Sequence, residues 1–270
     1  ENILDIKGGL NDVVMNNSPI DIDKLIEGTN EILTANRNSL QLFDMLHSMR
    51  QFDDLTYVHS VNVALIASIL GQWLKFSEKD IRILTISGLL HDIGKIMIPN
   101  EILTKPGKLT VAEYNIMKQH VNFGYEKVKN QNIDIRIKEA CLLHHEKCDG
   151  TGYPFGLKSD HIPAVAKIIA IADVYDAMTS ARVYRGALCP FEVIDTMYKD
   201  AFTKFEPEYI LPFLKNVASS YINNDVRLSD GRIGKVVLIN ENALSLPIVQ
   251  CEDEFIDLSK TRGLTVSAIL

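Results

Sequence analysis

Cysteine is scarce. The 270 residues carry four thiols, Cys141, Cys148, Cys189 and Cys251, with no CxxC or other framework spacing. A chain of this size needs no disulfide staples, so reduced thiols in a cytoplasmic compartment are expected. Long apolar runs are missing too. The richest, residues 61–70, is broken by Asn62 and Ser68 and falls short of the roughly 18 uninterrupted apolar residues that span a bilayer. No membrane span is expected. Positive charge is not in excess, since 28 basic against 35 acidic residues give a formal charge of −7. That balance argues against a protein that coats duplex nucleic acid through counterion release. An anionic small substrate stays compatible if positive charge is concentrated locally. The chain shows no internal repeat and no low-complexity segment. It begins at Glu1 with no basic-then-apolar leader, which reads as a processed or excised piece of a longer protein. With 46% apolar and 23% charged residues, what remains is an ordinary globular chain rather than a disordered or collagen-like one.

What is present is helical periodicity. Ser18-Pro19-Ile20-Asp21 predicts a helix start with Ser18 as N-cap and Pro19 at the first helical position. Apolar residues then recur at helical spacing through about residue 52: Ile22, Leu25, Ile26, Ile32 and Leu33, then Leu42, Phe43, Leu46 and Met49. Residues 1–52 are thus a helical lead-in, packed on a core or serving as a dimer or signal-input helix. Further helices are predicted over 57–74, 78–91, 110–128, 136–145, 164–180, 191–198 and 208–221. Thr110 and Glu113 form a capping-box pattern after the turn Lys105-Pro106-Gly107-Lys108. Residues 53–222 therefore read as a helical domain, and with the stretch from residue 18 as one all-α bundle. After Asn223-Asn224 the texture changes to β-branched runs around Asp230-Gly231, with strands expected near 226–228, 235–239, 247–251, 255–258 and 264–270. The expected fold class is all-α, a helical bundle with a small C-terminal β appendage over 223–270. That appendage is too short for a comfortable core of its own and should dock on the bundle.

The chemistry concentrates in histidines within the helical region. His59 stands in His-Ser-Val-Asn-Val-Ala, His91-Asp92-Ile-Gly-Lys95 closes a helix, His120 follows the capping box, and His144-His145-Glu146 ends another helix. Asp173 is the polar break in Ile-Ala-Ile-Ala-Asp. Each alone has a bland explanation, because a lone histidine is usually a hydrogen-bonded core or surface residue. Together they point to metal. An aspartate buried in that apolar helix costs several kcal/mol as an unpaired ion, so it needs a cation partner. Imidazole and carboxylate without thiolate suit iron, manganese, zinc, nickel or cobalt, and bundles build such centres from inward side chains. Five histidines and two aspartates exceed what one ion usually accepts, so two ions are expected.

These residues, in this order, resemble an HD-GYP domain, a subgroup of the HD phosphohydrolase superfamily. His91-Asp92 matches the HD pair and Gly152-Tyr153-Pro154 the GYP. The likeness runs over roughly 55–215 and takes in His59-x-x-x-Val-Ala, the 102–110 stretch Ile-Leu-x-Lys-Pro-Gly-Lys-Leu-Thr, His-His-Glu-x-x-Asp-Gly-Thr-Gly-Tyr-Pro from His144, and Ala-Asp-x-Tyr-Asp-Ala-Met-Thr-Ser-x-Arg-x-Tyr-Arg from Ala172. The resemblance implies an HD-domain bundle. One divalent ion would be held by His59, His91, Asp92 and Asp173, and a second by Asp92, His120, His144 and His145, with Asp92 as the bridge. Iron or manganese is favoured. It further implies that Arg182 and Arg185 bind substrate phosphates, and that the loop carrying Tyr153 borders the site and contacts GGDEF-domain partners. Lys95 lies three residues after Asp92, within reach of a scissile phosphate whose growing charge it would offset. Some members carry a glutamate four residues before the first histidine that helps hold a third metal. Here that position is Leu55, which favours two ions.

The implied activity is metal-dependent hydrolysis of cyclic di-GMP to linear pGpG by hydroxide attack on phosphorus, with further cleavage to GMP left open. The runner-up substrate is 3′,3′-cyclic GMP-AMP. A mononucleotide-cleaving HD enzyme is disfavoured by the GYP block. A non-catalytic interaction module is the reading from another class, and the intact set of costly inward polar groups argues against it. Homodimerisation is open.

Overall fold

The computed structural model describes residues 8, 18–35, 55–180 and 187–270. The first long element is helix α1, Ile22–Ala35. Its cap is Asp21, whose Oδ1 accepts from the Lys24 N–H at 3.1 Å. This corrects the expected start at Ser18 and Pro19. Residues 18–21 lie outside the helix, where the Gln131 side-chain amide donates to the Ser18 carbonyl and accepts from the Ile20 N–H. The lead-in from residue 36 to 52 lies outside the described residues.

Helix α2, Leu55–Trp73, and helix α3, Glu78–Leu90, form the centre. Val61, Ala64, Leu65, Ile66 and Leu70 are fully buried, as expected of a helix that is apolar on every side. Ser77 starts α3 by accepting from the Asp80 N–H at 3.2 Å. The chain leaves α3 through His91 and Asp92 into a 3-10 turn, Ile93–Met97, then a short α4, Asn100–Leu103. Helix α5, Val111–Met117, carries the expected Thr110 and Glu113 capping box.

The single helix predicted over 110–128 is two, because α6, His120–Val128, starts afresh. At the joint, Gln119 N–H bonds the Ile116 carbonyl three residues back, and the Met117 carbonyl accepts from His120 Nδ1 at 2.8 Å. A side chain has taken an acceptor that helix continuation would have used. Helix α7, Ile135–Leu143, is capped by Asp134, which accepts from the Arg136 N–H at 3.0 Å. A second 3-10 turn, Ser159–His161, precedes α8, Ala164–Thr179. Helix α8 packs against α2, α3 and α7. Helices α9, Pro190–Asp200, and α10, Pro207–Ser220, complete the helical part.

The C-terminal strands are β1 Asp225–Leu228, β2 Ile233–Leu238, β3 Ile248–Cys251, β4 Glu254–Asp257 and β5 Val266–Ile269. They form one antiparallel sheet in the order β4-β3-β2-β1-β5. Asp230-Gly231 makes the β1–β2 turn, with Gly231 at φ 94° and Asp230 Oδ1 accepting from the Arg232 N–H. This sheet makes an all-α description only approximate. Val226, Val236, Val249 and Val266 on its inner side belong to the same buried cluster as Leu65 and Ile168, and β5 packs against α9. Among the described residues, no helix is long and apolar enough to cross a membrane.

Candidate metal centre

Asp92 sits where α3 ends, and four chain segments converge on its carboxylate. Its Oδ2 lies 3.2 Å from His91 Nε2 and 3.6 Å from His59 Nε2 on α2, and it accepts from Lys95 Nζ. Its Oδ1 lies 3.3 Å from His120 Nε2 at the start of α6 and 3.9 Å from His144 Nε2 at the end of α7. Asp173 on α8 reaches the same place, with Oδ1 3.0 Å from His59 Nε2 and Oδ2 3.8 Å from His145 Nδ1. Donor atoms fall into two groups within mutual ligating reach, Asp92 with His120, His144 and His145, and His59 with His91 and Asp173.

The ring orientations are set locally. His91 Nδ1 donates to the Gly88 carbonyl at 2.7 Å, His120 Nδ1 to Met117 at 2.8 Å, and His144 Nδ1 to Ala140 at 3.0 Å. A carbonyl only accepts, so each of these rings carries its proton on Nδ1 and turns an Nε2 lone pair inward. Those Nε2 atoms, with Asp92 Oδ1, are buried without a hydrogen-bond partner. Imidazole lone pairs facing a carboxylate oxygen at 3.3 Å repel unless a cation stands between them. The donor set therefore fits divalent metal, and buried orphans of this kind are otherwise costly.

The electrostatics agree. Burial would raise the Asp92 carboxyl, but the adjoining His91 imidazole and the Lys95 ammonium hold it well below the usual carboxylate range. Burial acts likewise on Asp173, and its hydrogen bond and charge pairing with His59 hold it low. Burial, with the neighbouring His145 and His91, pushes His144 well below the usual imidazole range. Burial also takes His145 down to about 3, against the opposing pull of Asp173. The low carboxyls of Asp92 and Asp173 and the low imidazoles of His144 and His145 are the protonation states that metal ligation demands, whereas His59 is held the other way by its two aspartates.

Two residues without an assigned role prove structural to the site. Asp176, one turn after Asp173, is buried and its Oδ2 meets His59 Nδ1 at 2.7 Å, while its Oδ1 accepts from Asn62 Nδ2 at 2.9 Å. Spacing of three from Asp173 was the available signal. Glu146 is also buried and accepts from the Phe155 and Leu157 N–H groups at 2.7 and 2.9 Å, tying down the far end of the GYP loop. Gly152 is required there, since a Cβ would stand 2.4 Å from Glu146 Cα and Lys147 N. The loop delivers Tyr153, whose ring stacks on His145 with centroids 4.7 Å apart. Arg182 and Arg185 lie outside the described residues, as does the Leu55 side chain.

Histidines and aspartates converge at one end of the helical part, with a lysine on the shared carboxylate, an arrangement that could hold divalent metal. The family model described as HD domain matches residues 26–209, and the chain belongs to the HD domain family. A cyclic di-GMP phosphodiesterase of Pseudomonas aeruginosa is 36% identical over 203 residues, covering 75% of this chain and 49% of that protein. A 3′3′-cGAMP-specific phosphodiesterase of Vibrio cholerae is 32% identical over 188 residues, covering 68% of this chain and 36% of that protein. The chain thus spans half or less of these two relatives. An HDGYP protein from Bdellovibrio bacteriovorus shares the fold, with a TM-score of 0.57 at 18% identity over 77% of this chain and 69% of that one. The HD-GYP resemblance read from the sequence is borne out.

Proposed function

We propose that the chain, through residues 53–222, is a metal-dependent cyclic dinucleotide phosphodiesterase that opens cyclic di-GMP to linear pGpG. The observation that carries this reading is the convergence of unpartnered, buried Nε2 atoms of His91, His120 and His144 on Asp92. Two divalent ions would be held, one by His59, His91, Asp92 and Asp173, the other by Asp92, His120, His144 and His145. Iron or manganese suits these donors, and zinc, nickel or cobalt is tolerated. When bound there, such ions would supply Lewis acidity toward a phosphodiester and make water a stronger nucleophile.

The chain's own residues do the rest. Lys95 keeps its ammonium on Asp92 Oδ2 while its side chain stays 24% exposed, which leaves it positive charge to offer a phosphate oxygen that gains negative charge. Asp176 fixes the His59 ring. Arg182 and Arg185 supply guanidinium forks for phosphate oxygens. The four described cysteines are free thiols, and Cys141 is buried with its thiol donating to the Leu90 carbonyl at 3.3 Å, which suits a cytoplasmic setting.

The relative named for 3′3′-cGAMP makes that dinucleotide the second reading. Anaerobic reconstitution with iron or manganese, elemental analysis, and parallel assays of cyclic di-GMP and 3′3′-cGAMP test both. Two metals per chain with pGpG accumulating is expected. Three metals per chain defeats the two-ion arrangement, and hydrolysis of neither dinucleotide defeats the phosphodiesterase.

A further inference from the structure

Three aromatic rings form a continuous wall running away from the metal centre. His145 is the first, and Tyr153 stacks on it with centroids 4.7 Å apart and planes at 29°. Tyr114 on α5 is the next, edge-on to Tyr153 at 6.5 Å and 81°. Lys118, one helical turn after Tyr114, holds its ammonium 5.3 Å from the Tyr114 centroid and 6.0 Å from that of Tyr153. Tyr114 keeps 48% of its surface exposed, although it stands beside another aromatic ring.

This wall is rigid at both ends. The capping box and a two-oxygen ion pair from Lys105 to Glu113, at 2.7 and 2.8 Å, anchor the first turn of α5. Its last turn runs directly into His120, whose ring is bonded to Met117. Tyr153 arrives from a separate loop held by Glu146. A tyrosine and lysine four apart on a helix can be a simple surface pair. A surface pair gives no reason for a second tyrosine, from 39 positions along the sequence, to meet both groups and join them to a metal-centre histidine.

We propose that Tyr114 and Lys118, beside Tyr153, form the seat for a purine base of the substrate, one nucleotide along from the phosphate held at the metal centre. Aromatic faces stack on any nucleobase, and an ammonium beside them adds attraction for the acceptor atoms of a purine and for a neighbouring phosphate. The proposal rests on the phosphodiesterase reading and adds to it a requirement for a base.

The test compares the parent protein with Tyr114→Ala, Tyr114→Trp and Lys118→Ala, using cyclic di-GMP and the base-free diester bis(4-nitrophenyl) phosphate, together with GMP binding by equilibrium dialysis. In Tyr114→Ala the ratio of kcat/KM for cyclic di-GMP to that for the base-free diester should fall by about 10-fold or more, the worth of one lost base stack. The loss should lie in KM, GMP affinity should fall in parallel, and Tyr114→Trp should restore both. Lys118→Ala should lower both by several-fold. An unchanged ratio with unchanged GMP binding in Tyr114→Ala overturns the seat. If the parent cleaves neither diester, the phosphodiesterase reading fails on its own, and GMP dialysis alone decides the seat: equal binding by parent and Tyr114→Ala overturns it.

Discussion

Asp176 and His59 are joined through Oδ2 and Nδ1 at 2.7 Å, so the ring that reaches Asp173 from α2 is held from behind by the same helix that carries Asp173. A carboxylate behind a ligating imidazole fixes its orientation and raises its basicity. Asp176→Asn should therefore lower metal affinity by about 10–100-fold while the fold survives. Competition with a metallochromic chelator measures this. Unchanged affinity would mean that Asp176 serves packing alone.

His59 also sets a pH dependence. Burial lowers its pKa, but hydrogen bonds to Asp173 and Asp176 outweigh burial and raise it to about 9. The raised value means that the cation-free chain gains stability from the His59 proton below about pH 6.5 and loses it as pH rises through about 9, a contribution on the order of 3 kcal/mol. Thermal unfolding of chelator-treated protein should show Tm falling across that window, and His59→Gln should flatten the slope. Metal affinity should rise over the same range, since binding must displace that proton. A Tm that climbs from pH 6.5 to 9 in the parent alone would contradict this.

Asp92 and Lys95 touch, yet their removal should have different effects. Asp92→Ala should abolish turnover and strip metal, because it deletes the carboxylate on which both donor groups converge. Lys95→Ala should retain metal and lower kcat by two or more orders of magnitude, on the order of one positioned electrostatic group. Arg182→Ala should act mainly on KM. Elemental analysis beside steady-state kinetics separates the three, and matching kinetic patterns for Lys95→Ala and Arg182→Ala would refute the division.

Gly94 lies between Asp92 and Lys95, and a Cβ there would stand 2.0 Å from the His120 carbonyl oxygen and 2.4 Å from Gly124 N. Both neighbours are backbone and cannot rotate away. Gly94→Ala should cost about 1–3 kcal/mol or more as an overpacked contact and separate Asp92 from His120, so metal content should fall along with Tm. Full metal retention at an unchanged Tm would show that α6 can shift freely.

Much of this centre was legible because its residue types are costly anywhere else. Asp173 stood out as a charge in an apolar helix, and five histidines in polar motifs pointed to the same place. Strands around Asp230-Gly231 announced themselves by β-branched runs and a turn that needs positive φ. What escaped were contacts that no periodicity encodes. The break before His120 depends on a side chain bonding its own backbone, and the start of α1 depends on Gln131, more than a hundred residues away. Asp176 and Glu146 both lay within quoted motifs. Their roles, bracing a ring and pinning two amides, follow only from where other segments arrive.

The Nδ1 bonds of His91, His120 and His144 end on carbonyls three or four residues back in the same stretch of chain. Each imidazole is thereby fixed to a nearby helix end, His91 to α3, His120 to the end of α5 and His144 to α7, and keeps its aim without help from the others. Donor spacing is then a direct gauge of how the helices sit. Sliding the α5–α6 pair or α7 past α3 by a fraction of an ångström would carry the His120 and His144 nitrogens toward or away from Asp92 while every one of these bonds stayed intact.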